Sequence, residues 1–392
     1  MLLRNLRLID GTGALHARVD VRIRDGRFQA IAPDLSKDDE PVIDLSGSTA
    51  IPGLIDAHTH LSLNAAPSAI EDAAEQPHPY QALLTAKRAA ALLRHGVTTA
   101  RDVGGVPSVI FAVRDAIAQG HLEGPRIIAA GHWLTVTGGH GWMIAVEVDG
   151  VDALRRAVRA EIKAGSDMIK LMASGGVVGA GLGPHSVQFS EEEMRVAANE
   201  AHGAGLKIAA HAHGAGSIRN AVRGGVDTVE HGSFLTEELA DAMITRGTHL
   251  TPTLAVMGFI LARPDEAGMT EETMTRARAV SDSHRAAIEM AYGMGVPLVA
   301  GTDMGAPFTG PDALHQEIVE LGAIGCSPME AIQAATSNAA RAMGLEEQIG
   351  SVRPGRRADL VVLSEDPLDD LSATRSIRYV FKDGRVAWRQ TD

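Results

Sequence analysis

Between about residues 53 and 345, apolar runs of five to eight residues alternate with longer stretches in which apolar positions recur at helical spacing. This alternation marks a parallel α/β fold, because strands buried on both faces read as apolar runs and each needs a crossover helix to reach its parallel neighbour. Eight runs stand out: Leu54–His58, Val97–Asp102, Arg126–Trp133, Asp167–Met172, Lys207–His211, Val226–His231, Thr248–Thr253 and Pro297–Asp303. Helix starts lie between and after them. Ser190 with Glu193 has the form of a capping box, and Ser327-Pro328-Met329-Glu330 adds proline at the first helical position. Eight strand–helix units predict a TIM-type (β/α)8 barrel over residues 53–345. The competing arrangement, a doubly wound open sheet, lacks a Gly-x-Gly-x-x-Gly fingerprint after the first strand.

The two ends of the chain carry a different pattern, with apolar residues alternating around an Asp-Gly pair. Val19, Val21 and Ile23 precede Asp25-Gly26, and Phe28 follows; Tyr379 and Phe381 precede Asp383-Gly384, with Val386 and Trp388 after it. Asp-Gly between alternating apolar runs favours a type I′ hairpin. Isolated hairpins are marginal in water. The simplest arrangement therefore joins residues 1–52 and 346–392, including the apolar run Asp359–Leu363, into one small β-sandwich domain beside the barrel.

Composition narrows the classes of function. The 392 residues are 45% hydrophobic and 22% charged, the profile of a globular chain. A net charge of −13, with no basic run longer than a pair such as Arg356-Arg357, argues against a nucleic-acid partner. One cysteine, Cys326, excludes an internal disulfide framework and a cysteine-rich zinc module, so any metal would need histidine or carboxylate ligands. The amino terminus is too short in apolar residues and too charged for a signal peptide or a membrane span, which makes the cytoplasm the default location.

The residues with chemical potential fall at the carboxyl ends of the apolar runs, the face on which barrel enzymes place their sites. Run one ends in His58-Thr59-His60; as i and i+2 on a strand, these two imidazoles point the same way. Run five ends in His211-Ala212-His213, run six in Glu230-His231 and run eight in Gly301-Thr302-Asp303. His211 and His231 lie 20 residues apart, one strand–helix step, so neighbouring strands can offer both to one cation. With the first pair they supply enough nitrogen for zinc or a similar borderline metal, and Asp303 could complete a shell or accept a proton. Lys170, in Met168-Ile169-Lys170-Leu171-Met172, sits where an ammonium group would be buried and costly. A buried lysine tends to lose its proton, and the neutral amine can then take up carbon dioxide as a carbamate able to bridge two cations. The alternative is an ion pair across the barrel, for example with Asp303; the histidines nearby favour the carbamate.

With these residues in hand, the chain resembles the amidohydrolase superfamily, in the branch of imidazolonepropionase-like amidohydrolases and prolidase-like metal-dependent carboxypeptidases. The resemblance spans nearly the whole chain, through Pro52–His60, Thr98–Asp102, Gly138–Gly141, Glu230–Gly232, Ala300–Asp303, Ala334–Ala340, Gly350–Gly355 and Ala358–Leu360. It implies two divalent metals, zinc in kind: one held by His58, His60 and Asp303, the other by His211 and His231, with carboxylated Lys170 as the bridge. A shared hydroxide would attack the scissile carbonyl, and Asp303 would carry its proton to the leaving amine. Deaminases of the superfamily resemble a one-metal design with a glutamate soon after the strand-five histidine and without the lysine. Here Ala212-His213-Gly214 follows His211 and Lys170 is present, so deamination is disfavoured.

One position departs from the pattern. Some carboxypeptidase-like members are expected to carry tyrosine where this chain has His213, which could still donate a hydrogen bond in catalysis or substrate binding, or simply pack in its loop. His140, in a glycine-rich loop, is a candidate substrate contact. Arg101 could meet a substrate carboxylate or pair internally with an acid of the barrel. The resulting expectation is a hydrolase of an amide bond, in a dipeptide or N-acyl amino acid, with cyclic amides, carbamates or xenobiotic aryl amides as the alternative. Selectivity would reside in the segments Asn64–Tyr80, Leu134–Asp149, Ser174–Phe189 and Met257–Glu272. A metal-free scaffold is disfavoured because all six ligand positions are filled, and a homo-oligomer is compatible with the chain without being specified by it.

Overall fold

The computed structural model describes residues 1–177 and 182–391. The chain opens with β1 (Leu2–Ile9), β2 (Leu15–Arg24), β3 (Arg27–Ala32), β4 (Val42–Asp44) and β5 (Thr49–Pro52). The central part contributes β6 (Leu54–Thr59), β7 (Val97–Asp102), β8 (Arg126–Ala129), β9 (Leu134–Thr135), β10 (Val146–Glu147), β11 (Met168–Met172), β12 (Lys207–Ala212), β13 (Thr228–His231) and β14 (His249–Thr251). It ends with β15 (Leu360–Leu363), β16 (Ile377–Lys382) and β17 (Arg385–Arg389).

The two chain ends form one mixed sheet in the order β17-β16-β15-β5-β1-β2-β3, with β4 also paired to β1. Its seam is the antiparallel pairing of β15 with β5, from Leu360 opposite Pro52 to Leu363 opposite Thr49. Both wings share an apolar core that includes Leu3, Val21, Phe28, Leu360, Val362 and Phe381. Both Asp-Gly turns have positive φ at each central residue, 50° and 74° at Asp25-Gly26 and 47° and 75° at Asp383-Gly384, as a type I′ turn demands. The two turns meet through Ala358, whose N–H donates to Gly26 O at 2.8 Å and whose carbonyl accepts from Gly384 N–H at 3.0 Å. Arg126 then ties this sheet to β8, with Nη1 2.9 Å from Asp359 and Nη2 2.9 Å from Asp383.

The barrel closes, although its strands differ in length from the apolar runs. β6, β7 and β8 pair in parallel, and so do β11 through β14. The two groups join where Asp167 N–H donates to Ala129 O at 2.8 Å. The run Arg126–Trp133 is regular only as far as Ala129, because Gly131 turns the chain at φ 79° and β9 starts afresh at Leu134. The run Thr248–Thr253 keeps three strand residues, since Pro252 has no N–H for the ladder and Thr253 takes φ 54°. Pro297–Asp303 forms no regular strand but fills the eighth place: Leu250 N–H donates to Pro297 O at 3.0 Å, Ala57 N–H to Ala300 O at 3.1 Å, and Asp303 N–H to His58 O at 2.8 Å.

Helices cover the outside of the barrel, and the capping signals at Ser190 and Ser327 are both realised, each as a complete capping box. No helix among the described residues is long and apolar enough to cross a membrane.

The eighth segment can approach the first strand only because residue 301 has no side chain. A Cβ there would stand 2.5 Å from Thr251 Cγ2, 2.8 Å from His58 Cβ and 2.9 Å from His58 N. Gly301→Ala is therefore predicted to lose about 1–3 kcal/mol of stability through overpacking, read as a lower urea midpoint at unchanged slope.

Candidate active site

Six side chains meet where the carboxyl ends of β6, β11, β12, β13 and the eighth segment converge, and each is placed by strand alternation. His58 and Asp56 share one face of β6; His60, just past its end, keeps the same direction. Asp56 binds that strand to the eighth segment, accepting from Thr302 Oγ1 at 2.7 Å, Thr302 N–H at 3.1 Å and His58 N–H at 3.2 Å. Burial pushes its carboxyl up to about 7.

The hydrogen-bond partners select the ring nitrogen that each histidine leaves free. Gly104 O, an acceptor only, lies 2.7 Å from His60 Nδ1, so Nδ1 carries a proton and Nε2 is the nitrogen left to face the cavity. His58 Nδ1 likewise donates to Glu230 Oε2 at 2.7 Å. Both Nε2 atoms then face Asp303 Oδ1, at 3.4 Å from His58 and 3.3 Å from His60. His211 Nε2 donates to Gly175 O at 3.2 Å, which frees Nδ1, whereas His231 Nδ1 is 2.7 Å from Thr253 Oγ1. Fixing a ring through its second nitrogen is how ligand histidines are usually oriented.

Two overlapping groups have ligand atoms within 4.8 Å of one another: His58, His231 and Asp303, and His211, His213 and His231. All of these but Asp303 are buried. Burial is also the largest cause that holds His211, His213 and His231 well below the usual histidine range, with neighbouring imidazoles adding to it. Neutral imidazole is the form that binds cations. For Asp303 burial acts to raise the pKa, but the charges and hydrogen bonds of His58 and His60 prevail and hold it well below the carboxylate range.

Lys170 lies among these groups, 1% exposed, and its Nζ has no hydrogen-bond partner among the described residues. The alternative of an ion pair with Asp303 is not realised, since no carboxylate among the described residues is within salt-bridge distance of Nζ. Burial lowers the ammonium to about 8, against the pull of Glu230 and Asp303. An unpaired buried charge is expensive, so the geometry favours any chemistry that neutralises it or supplies partners.

The remaining candidates divide. His140 stacks on His211 with ring centres 4.7 Å apart and lines the cavity; burial takes it down to about 4. His213 also lines the cavity, stacked on His231 at 4.6 Å with Nδ1 2.8 Å from Ser233 Oγ, so it belongs with the nitrogen cluster rather than to loop packing. Arg101 does not reach the cavity. It lies below, 2% exposed, with Nη2 2.8 Å from Glu230 Oε1, Nη1 3.0 Å from Thr228 Oγ1 and Nε on Ala57 O. Of its two expected roles the structure shows the internal ion pair.

In the sequence Glu230 stands out only as part of the Glu-His motif. Its function as the partner of both Arg101 and His58 was legible in one respect: strand alternation puts Thr228 and Glu230 on the same inward face of β13. The supporting hydroxyls of Thr253 and Ser233 and the edge of Trp133, 5.4 Å from the His60 ring, carried no such signal.

Above the cluster opens a cavity of about 470 Å³. Each of the four segments expected to set selectivity contributes to its wall, through Ile70, Trp142, Val177 and Met257 among others. Residues 178–181 of the Ser174–Phe189 segment lie outside the described residues.

The pattern of the amidohydrolase family matches residues 49–387, most of the chain. The chain belongs to the amidohydrolase family. Among curated relatives it is 35% identical over 324 residues to ochratoxinase of Aspergillus niger, a match covering 75% of this chain but 66% of that enzyme, just under two thirds of its length. Among solved structures it is similar to a Xaa-Pro dipeptidase with methionine bound in its active site, at 31% identity and a TM-score of 0.89 over 99% of both chains. A prolidase complexed with N-methylphosphonate-L-proline superposes at a TM-score of 0.92, with 30% identity and 99% of both chains covered. The family and the fold are thus those expected from the sequence.

The buried pair at the floor gives a direct test. Arg101→Met should cost about 3–5 kcal/mol in chemical denaturation by leaving Glu230 buried without its guanidinium. A loss below 1 kcal/mol would show that Glu230 needs no such partner.

Proposed function

We propose that the protein is a binuclear metal-dependent hydrolase of amide bonds, acting on dipeptides or N-acyl amino acids. Support comes chiefly from one observation: the Lys170 ammonium is buried without a partner among imidazoles whose free nitrogens converge on the same space. An amine whose pKa has fallen to about 8 is neutral in roughly one molecule in ten at pH 7. That neutral form adds to carbon dioxide, forming an N–C bond and losing a proton, and the product replaces an orphaned cation by an anion with two oxygen donors. In this reading His58, His60 and Asp303 would hold one divalent cation and His211 and His231 the other, with carboxylated Lys170 offering oxygen donors to both; zinc would suit the nitrogen-rich set.

When bound, the cations supply Lewis acidity toward the substrate carbonyl and make water nucleophilic at neutral pH. The chain's own residues do the rest. Asp303, ionised at neutral pH, accepts the proton of the attacking water and returns it to the leaving nitrogen. His213 presents an N–H toward the oxygen on which charge develops, oriented by the Ser233 hydroxyl. His140 contacts the substrate at the cavity wall. Arg101 acts from beneath, through Glu230, on the direction of the His58 ring. We further propose that residues 53–345 form the catalytic domain and 1–52 with 346–392 the accessory β domain, and that the enzyme works in the cytoplasm.

A screen of dipeptides and N-acyl amino acids with zinc, manganese or cobalt supplied should reveal amide hydrolysis. Elemental analysis of the active protein should approach two metals per chain; a metal-replete sample with none at the site would refute the proposal. Lys170→Ala should lower kcat by at least about 100-fold, in the range that single groups in charge stabilisation command, and halve the metal content. Unchanged turnover in that variant would remove the bridge from the mechanism.

A further inference from the structure

The cavity has two chemically unlike halves. Its floor holds the histidines, Lys170 and Asp303, whereas its upper wall is built from apolar side chains, foremost Ile70, Trp142, Met143, Val256, Met257 and Ile260. Trp142 is 51% exposed at the mouth, an apolar ring facing solvent where a ligand would enter. The lining includes no arginine among the described residues, and its carboxylates are Asp303 and Glu71 alone. Asp303 is already engaged by His58 and His60, and Glu71 is exposed at the rim.

This distribution bears on the acyl half of the substrate. In a free dipeptide the α-ammonium sits on the carbon bonded to the scissile carbonyl, so it must enter the cavity with that carbonyl. There it would meet imidazoles but no uncommitted acid, and an unpaired cation is costly to desolvate. An acyl group without the amine avoids that cost and gains by covering the apolar wall; burying an aromatic ring is worth roughly 10- to 100-fold in specificity. The volume is sufficient, since about 470 Å³ lies within the range of sites for ligands of several rings. Methionines in the wall adapt to varied shapes.

We propose that the preferred substrates are N-acyl amino acids, not free dipeptides, and that the acyl half is a large uncharged apolar group, aryl or arylalkyl, seated against Met257, Ile260 and Trp142. This rests on the reading of the site as an amide hydrolase. The test uses the full chain supplied with zinc, manganese or cobalt, and three substrates with the same leaving amino acid: 3-phenylpropanoyl-L-phenylalanine, L-phenylalanyl-L-phenylalanine, which differs from it only by the α-amino group, and N-acetyl-L-phenylalanine. The first should exceed each of the others by at least about tenfold in kcat/KM, and Met257→Asp, which places a carboxylate in the wall, should shrink its lead over the dipeptide by about tenfold. Equal or faster cleavage of the dipeptide overturns the inference while leaving amide hydrolysis intact. Parity with the acetyl compound removes the apolar wall from specificity. An active Met257→Asp variant with an unaltered ratio removes that residue from it. Failure to cleave any of the three, together with failure of the wider screen, overturns the hydrolase reading itself.

Discussion

Everything at the mouth of this barrel depends on a carboxylate that never reaches it. Glu230 is fully buried, with one oxygen on the Arg101 guanidinium and the other on His58 Nδ1. Burial would raise its pKa, yet Arg101, His58 and Lys170 outweigh that and keep it ionised. An ionised Glu230 fixes the His58 tautomer, and with it the atom that His58 presents toward Asp303. Because Arg101 belongs to β7, His58 to β6 and Glu230 to β13, one ionic contact also spans the barrel interior.

The interior is a set of charges that balance only in part. Arg101 offsets Glu230 below, while Asp303 faces two imidazole nitrogens above. Lys170 is left over, too far from either acid to pair with it. Hydrophobic cores do not keep an unpaired ammonium without a reason, and a group that neutralises it while adding negative charge among neutral imidazoles meets both needs. Backbone at the same level is strained to fit: His231 and Asp303 adopt positive φ, 71° and 60°, conformations that cost side-chain-bearing residues energy and that cluster at functional sites.

Much of this could be read from the chain, and the reasons differ from residue to residue. His58 and His60 were legible because a two-residue period on a strand has one geometric outcome. The Asp-Gly turns were legible because few pairs tolerate positive φ twice in succession. The ends of the third, seventh and eighth barrel segments were not, since apolar runs continue through Gly131 and Pro252 while the ladder does not. Arg101 marks the limit most clearly: its burial and its position were implied by β7, but only the spatial neighbourhood of β13 decided that it meets Glu230 and leaves the cavity without an arginine among the described residues.

What the sequence determined by itself was therefore local and periodic: the strand–helix alternation, the inward direction of each candidate side chain, the turns that pair the two ends, and the motifs that carry the family. Tertiary structure decided what those side chains face. Periodicity assigns a face within one strand, but the partner across a barrel depends on closure, on how far Gly301 lets the eighth segment approach His58, and on which nitrogen of each ring is already spent on a backbone carbonyl or a buried acid. Those are distances between segments remote in the chain, and no local pattern encodes them.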